Sequence, residues 1–103
     1  MSGDLIALGP GKVDLLESIT REGSISQAAR ERQLSYRRAW NMVDTMNRCF
    51  KEPLVTSVTG GKGGGGAELT PTGKKVIQTY RKMEKKTNAA IRTEWESLQK
   101  LLR

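Results

Sequence analysis

Histidine is absent from this chain of 103 residues, and Cys49 is the only cysteine. Catalytic triads, general bases and metal sites that depend on histidine are therefore excluded. A single cysteine excludes a disulfide within the chain and a zinc site built from several cysteines, and it suits a reducing cytoplasm. Because the chain also lacks a recognisable pair of catalytic carboxylates, nothing in the sequence supports an enzyme, and no cofactor is expected.

Apolar and aromatic residues are scarce. Hydrophobic residues make up 36% of the chain, which indicates one modest domain with a small core that would benefit from a partner surface. No stretch approaches the ~20 apolar residues that a membrane-spanning helix needs. The short apolar patch Leu5–Leu8 has no basic segment before it, so no signal peptide is expected. We therefore expect a cytoplasmic protein associated with the nucleoid.

Basic residues are in excess, and most of the net charge lies near the C-terminus. The formal net charge is +7, and residues 74–103 contain nine basic and three acidic residues. A basic protein of this kind favours polyanionic partners, with nucleic acid first and an anionic membrane second. The early basic cluster of residues 74–86 is also consistent with a solvated helix face.

Two short helices are predicted at the start of the domain. Apolar residues at helical spacing indicate a first helix from Lys12, and Gly23 is a residue type that ends helices. The segment Ser24–Gln27 offers a serine cap for a second helix over residues 26–32, in which two adjacent alanines allow close helix approach. Residues 1–11 are predicted to be a turn-rich arm.

A third helix is predicted from Tyr36 to about Phe50, after a short turn with Leu34 as its apolar plug. Its inward face would contain Ala39, Val43, Met46 and Phe50, with Trp40 at the flank. Three short helices in this order are typical of a helix-turn-helix. The alternative is an ordinary three-helix bundle with a basic face.

The glycine-rich stretch from Thr59 to Thr70 allows three interpretations. A phosphate-binding loop is disfavoured because Lys62 is followed by glycine and no helix follows directly. A flexible linker would join two domains, but too little chain lies on either side. A β-hairpin accounts for both flanks, since β-branched residues 54–59 and the segment 67–70 predict two strands. After a helix-turn-helix such a hairpin is a wing, with Lys62 as a cation near phosphates.

A long last helix is predicted from Pro71, with Thr70 as its cap, to Arg103. A stripe at spacings of three and four lies on one side and comprises Ile77, Tyr80, Glu84, Thr87, Ile91, Trp95, Leu98 and Leu102. A small domain cannot bury so long a stripe, so we expect it to pack against a second copy of the chain. The alternative, a basic amphipathic helix on a membrane, is disfavoured by the polar interruptions.

The segment from Leu8 to Tyr80 resembles the N-terminal DNA-binding domain of ModE-type molybdate-responsive regulators and, more distantly, the helix-turn-helix of LysR-type regulators. The resemblance rests on Gly23-Ser24-Ile25-Ser26 with two alanines, on Ser35-Tyr36 with Trp40, on Met46-Asn47, and on the glycine wing leading into Leu69-Thr70-Pro71 and Gly73. It implies a mainly α fold with a small β-hairpin, namely a winged helix-turn-helix with a long C-terminal dimerisation helix. With the residue patterns described above, we expect an N-terminal arm (1–11), the winged helix-turn-helix domain (12–70) and the long dimerisation helix (71–103).

The resemblance implies a homodimer on a pseudo-palindromic double-stranded operator, with the third helix in the major groove. By position, the DNA-contacting residues would be Ser26, Gln27, Ser35, Tyr36, Arg37, Arg38, Trp40, Asn41 and Lys62. The dimer contacts would be Ile77, Tyr80, Thr87, Ile91, Trp95, Leu98 and Leu102. Full-length relatives carry a second, oxyanion-binding region, and we expect no molybdate site within this chain.

The residue chemistry suits these roles. Arginine can bond two acceptors of guanine and asparagine two groups of adenine, but neighbouring Arg37 and Arg38 point about 100° apart, so only one is expected to contact a base. Core packing is the alternative role for Tyr36 and Trp40. We expect Asp44 to pair with Arg48, and Cys49 to be a small buried group. Two other functions remain open: a winged-helix protein-interaction module and a non-specific DNA-binding protein.

Overall fold

The computed structural model describes residues 8–61 and 64–103, and in these ranges it contains five helices and one two-stranded antiparallel sheet. The elements, in chain order, are α1 (Pro10–Glu22), α2 (Ile25–Glu31), α3 (Tyr36–Cys49), β1 (Val55–Gly61), β2 (Gly64–Leu69), α4 (Pro71–Ala90) and α5 (Arg92–Gln99). This order confirms the predicted winged helix-turn-helix. The predicted strand-like patch Leu5–Leu8 lies largely outside the described residues.

The first helix begins two residues before the predicted start. Proline fits the first position of a helix, where its missing N–H is not needed, so α1 starts at Pro10 after Gly9. It ends where the sequence indicated: Gly23 adopts a left-handed conformation with φ 76°, and its N–H donates to the Ile19 carbonyl at 2.8 Å. A side chain at this φ would be strained, which explains glycine here.

Serine side chains start the next two helices. Ser24 Oγ accepts the Gln27 N–H at 3.0 Å, so α2 begins at Ile25 rather than at Ser26 as predicted. Ser35 Oγ accepts the Arg38 N–H at 3.1 Å and starts α3 at the predicted Tyr36. The turn between α2 and α3 is tight because Gln33 takes a positive φ of 58°.

The core lies between the helices and the base of the hairpin. Its buried members are Leu15, Leu16 and Ile19 of α1, Ala28 and Ala29 of α2, Ala39, Val43 and Met46 of α3, and Leu54, Val55, Ala67 and Leu69 of the hairpin base. Leu34 and Phe50 pack against this cluster as predicted, partly buried. The three alanines let the helices approach closely, which compensates for the small number of large apolar residues.

The glycine run forms the outer half of the hairpin. Val55 pairs with Leu69 and Val58 with Gly66, the register is irregular between Val58 and Gly61, and Gly61 then pairs with Gly64. The hairpin interpretation is confirmed, although β2 begins three residues before the predicted Ala67.

Hydrogen bonds at two places, one from the backbone and one from a side chain, join the hairpin to the helices. The Ala67 N–H donates to the Gly23 carbonyl at 2.9 Å, where a Cβ on Gly66 would also approach to 2.9 Å. On α3, Asn47 Oδ1 accepts the N–H groups of Leu54 and Val55 at 2.8 and 3.2 Å, while its Nδ2 donates to the Val55 carbonyl at 3.1 Å. One side chain therefore positions the start of β1 relative to α3.

Helix α4 begins as predicted. Thr70 Oγ1 accepts the Gly73 N–H at 3.0 Å, and Pro71 occupies the first turn. The same hydroxyl donates to the Pro53 carbonyl at 2.8 Å, which joins the helix start to the segment before β1. Gly73 is buried directly against the Leu54 backbone.

The end of α3 and the C-terminal helix differ from the prediction in two respects and agree with it in one. The prediction of one uninterrupted helix is wrong, because α4 ends at Ala90 and α5 begins after Ile91, whose φ of −103° and ψ of 8° depart from helical values. Cys49 is exposed rather than buried, because it lies on the outer side of the last turn of α3, while the next residue, Phe50, packs against the core. Asp44 pairs with Arg48 at 2.9 Å, as predicted.

Candidate nucleic-acid interface

Helix α3 has one outward face made of polar and aromatic side chains. Since Ala39, Val43 and Met46 point into the core, the helical period leaves residues 36–38, 40 and 41 on the outside. Tyr36 is 56% exposed and Trp40 is 46% exposed, so core packing is not their role. Because Tyr36 and Trp40 are neighbours one helical turn apart, their exposed rings form a contiguous patch that is a candidate interaction surface.

One side of this face is basic. A shallow groove of about 500 Å³ lies between α3 and the start of α1, and its lining residues are Lys12, Ser35, Arg37, Arg38, Asn41, Met42 and Thr45. Within the described ranges, neither Arg37 nor Arg38 has a carboxylate within 4.0 Å. We call this side the basic flank.

The other side faces the hairpin. A groove of about 490 Å³ separates α3 from the two strands, with Tyr36 and Trp40 on the helix side and Thr56, Ser57 and Thr59 on the strand side. We call this side the aromatic flank. Its rim carries rings and hydroxyl groups, which can pack on sugars and hydrogen-bond to phosphate oxygens.

Arg37 and Asn41 lie between the two flanks. Together with Tyr36 and Trp40 they line a smaller depression of about 330 Å³, and both also line the basic flank. Arg38 lines the basic flank but neither the aromatic flank nor the smaller depression. The geometry therefore gives adjacent arginines different positions, as the ~100° separation of neighbours on a helix requires.

The start of α2 borders the aromatic flank. Ser26 lines that groove, and Ser26 and Gln27 are both exposed. The Gln27 N–H is occupied by the Ser24 cap. The structure thus brings Ser26, Ser35 and the α3 residues onto one side of the domain, while Lys62 lies outside the described residues.

Ion pairs away from this surface hold the helices together. Arg21 donates to Glu31 at 2.6 Å, and this hydrogen bond is the main reason that the pKa of Glu31 falls to about 2. Arg32 pairs with Asp14 at 3.2 Å, and Arg81 pairs with carboxylates of α1 and α4. These arginines are neutralised locally, in contrast to Arg37 and Arg38.

Several residues of this surface were not predicted from the sequence to belong to it. Lys12 belongs to the basic flank although it is 23 or more positions from the α3 residues around it. Thr56, Ser57 and Thr59 belong to the aromatic flank, and the only sequence signal for them was the β-branched pattern of the strand.

The sequence profile of bacterial regulatory helix-turn-helix proteins of the lysR family matches residues 11–74, which span α1 to the first turn of α4. The chain belongs to this family. The matched range contains every residue of the basic and aromatic flanks.

Individual relatives confirm the resemblance to ModE-type regulators. The chain is 46% identical over 85 residues to the molybdenum transport protein ModE of Azotobacter vinelandii, covering 82% of this chain and 32% of that protein. It is 52% identical over 77 residues to the molybdenum-pterin-binding protein MopB of Rhodobacter capsulatus, covering 75% and 28%. It is 46% identical over 71 residues to the DNA-binding transcriptional dual regulator ModE of Escherichia coli K12, covering 69% and 27%. The chain thus spans about a third of the length of these relatives.

The predicted dimer stripe divides into two parts in this family member. Ile77 packs against the core of its own domain, and Tyr80 is half-buried beside an apolar groove of about 260 Å³ that Leu8, Phe50, Val76 and Met83 also line. Glu84 is half-buried and accepts from Arg81, and the five stripe residues beyond it are all exposed: Thr87, Ile91, Trp95, Leu98 and Leu102. No helix in the described ranges is long and apolar enough to cross a membrane.

Proposed function

We propose that the chain is a sequence-specific transcription regulator that binds double-stranded DNA as a homodimer. Residues 12–70 would bind DNA and residues 71–103 would hold the two copies together. The observation that carries the proposal is the outward face of α3, where Arg37, Arg38 and Asn41 are exposed and, in the described ranges, neither arginine pairs with a carboxylate. Membership of a helix-turn-helix regulator family supports the same function.

Helix α3 fits the role of the helix that enters the major groove, which is about 12 Å wide and admits one α-helix. The central residues Arg37 and Asn41 would contact base edges, arginine at guanine and asparagine at adenine. Arg38, which lies on the basic flank alone, would contact a phosphate. Each good base contact is worth about 1–3 kcal/mol of discrimination.

The rest of the surface would contact the DNA backbone. Ser26, Gln27 and Ser35 lie where a phosphate can approach, and hydroxyl groups commonly bind phosphate oxygens. Tyr36 and Trp40 would pack on sugars or a thymine methyl group from the aromatic flank. The hairpin would lie along the backbone or the minor groove, with Lys62 at its tip.

The homodimer is supported by the exposed apolar residues of α5 and the end of α4. Trp95 is 51% exposed and Leu98 is 55% exposed, at a spacing that puts them on one side of the helix. Burial of such side chains against a second copy would remove apolar area from water, which is favourable by about 25 cal/mol per Å².

Selection of bound duplexes from a random DNA pool at moderate salt tests the proposal directly. The expected product is a pseudo-palindrome with half-sites about one helical turn apart. Recovery of no motif, together with binding that disappears as salt rises, would identify a non-specific DNA-binding protein instead. Absence of DNA binding at any salt concentration would favour the protein-interaction module.

Three variants then assign the contacts. Arg37→Ala should relax preference at one base position by about 1–3 kcal/mol, whereas Lys62→Ala should weaken all sequences evenly and reduce the salt slope by about 1. Lys100→Ala removes the same charge at the far end of the chain and serves as the control. Equal losses for Arg37→Ala and Lys62→Ala on every sequence would contradict these roles.

A further inference from the structure

Helix α4 is attached to the domain along its first half, where Val76 and Ile77 pack against the core, and two polar attachments lie at the ends of this half. The first is its start, where the Thr70 N–H donates to the Leu54 carbonyl at 2.9 Å and Gly73 lies against the same backbone. The second is Arg81, about 12 Å further along the helix at 1.5 Å per residue. Contacts further from the helix start restrain its tilt more strongly, and Arg81 makes the contacts with α1 that lie furthest along the helix.

The Arg81 attachment uses every nitrogen of the guanidinium. Nη2 donates to Glu17 Oε1 at 2.6 Å and to Asp14 Oδ1 at 2.7 Å, and Nε donates to Glu17 Oε2 at 3.2 Å. Nη1 donates to Glu84 Oε1 at 2.8 Å, one turn further along α4. The fork on Glu17 is bidentate, which gives directional as well as electrostatic restraint. Because only arginine offers this planar fork, lysine could not reproduce it.

Nothing beyond this cluster restrains the helix within the described ranges, since every residue from Lys85 onward is exposed. The direction of the projecting half is therefore set by the packing of Val76 and Ile77 together with the ion pairs of Arg81, which lie furthest from the helix start. Ile91 lies about 27 Å from Gly73, so a tilt of about 10° at the helix start would move it by about 5 Å. That displacement exceeds the ~3.4 Å rise of one base pair.

The ion-pair cluster of Arg81 also connects α4 to α1 and α2, the two helices that pack against α3. Asp14, which accepts from Arg81, also accepts from Arg32 at the end of α2, at 3.2 Å. Helices α1 and α2 pack with α3 in one core. The ion pairs of Arg81 thus add to the apolar packing that holds α4 at its angle to the outer face of α3, and the carboxylates of Glu17, Glu84 and Asp14 raise the pKa of Arg81.

We propose that Arg81 is a positioning residue that sets the distance between the two DNA-contacting helices of the dimer, and hence the spacing of half-sites that the dimer accepts. The inference rests on the proposed homodimer. In a symmetric dimer each copy contributes its own tilt, so about 10° per copy corresponds to about three base pairs of spacing.

The test uses a set of duplexes in which the selected half-sites are separated by spacers of increasing length. The wild-type chain should prefer one spacing, and Arg81→Met should bind several spacings almost equally, over a range of about three base pairs. Lys82→Met, which removes the same charge from the adjacent exposed position, should keep the wild-type preference. Affinity for a single half-site should stay the same in all three proteins.

Two more variants keep the test decisive if Arg81→Met does not fold. Glu17→Gln removes the charge of the bidentate acceptor and should broaden the spacing preference in part. Arg81→Lys keeps the positive charge but not the planar fork, so it should keep only part of the wild-type preference. A spacing preference as narrow in Arg81→Met, or in folded Glu17→Gln, as in the wild type would overturn the inference. If the wild type itself prefers no paired half-sites, the proposed homodimer fails instead, and the role of Arg81 fails with it.

Discussion

Replacement of Gly73 by alanine provides the sharpest test of the packing described above. An added Cβ would lie 2.3 Å from the Leu54 carbonyl oxygen and 3.2 Å from Leu69 Cγ, whereas ordinary contacts begin at 3.4 Å. The opposing atom belongs to the backbone, so relief requires α4 and the start of β1 to move apart by about 1 Å. That movement would strain the 2.9 Å bond from the Thr70 N–H to the same carbonyl.

The expected loss follows from three contributions. Overpacking costs about 1–3 kcal/mol, and weakening one backbone hydrogen bond costs about 1 kcal/mol. Alanine is the better helix former by about 1 kcal/mol, which offsets part of the loss. We therefore expect Gly73→Ala to lower the free energy of unfolding by about 1–3 kcal/mol.

Urea unfolding followed by circular dichroism, at one fixed protein concentration, measures this difference. Gly11→Ala is the matched control, because Gly11 lies in the first turn of α1 with nothing within 4 Å of an added Cβ. The control should be as stable as the wild type, or more stable by up to about 1 kcal/mol. A Gly73→Ala variant that unfolds at the same urea concentration as Gly11→Ala would refute the close approach.

Three further predictions concern other parts of the molecule. Asn47→Ala should lower the free energy of unfolding by about 2–3 kcal/mol, measured by urea unfolding, because two N–H groups and one carbonyl lose their partner. Trp95→Glu should raise the dissociation constant of the proposed dimer by at least about tenfold in sedimentation experiments, with the thermal midpoint of the domain unchanged at low concentration. For Glu31, with a pKa of about 2 against an ordinary 4.5, the stability contribution is full above pH 4.5 and is lost as the pH falls toward 2. Glu31→Gln should therefore melt below the wild type at pH 7, and this difference should disappear near pH 2.

Local signals explain what could be predicted from the sequence. Gly23 and the Thr70-Pro71 pair act through their own backbone conformation and capping, so the ends of α1 and α4 were predictable from a few neighbouring residues. Periodicity found the inner face of α3 for the same reason. The exact start of α2 was missed because Ser24 and Ser26 are both good caps, and only the contact of Ser24 with the Gln27 N–H distinguishes them.

Long-range contacts explain which features could not be predicted from the sequence. Glycine has no side chain that alternates between faces, so the sequence does not show that β2 already begins at Gly64. A stripe of apolar residues does not reveal which surface it meets, and Ile77 packs within its own domain rather than standing free. Arg81 was predicted only as part of a charged run, because its partners Asp14 and Glu17 are more than 60 positions away.

The separation of the outer face of α3 from the core has an evolutionary consequence. In the part of the chain that the structure describes, the side chains of Arg37, Arg38 and Asn41 make no hydrogen bond or ion pair that supports the fold. Surface substitutions of this kind usually change the free energy of unfolding by less than about 0.5 kcal/mol. On the proposed function, in which this face contacts the operator, descendants of such a domain can therefore acquire new operator sequences by changing a few codons, without first accumulating stabilising mutations elsewhere.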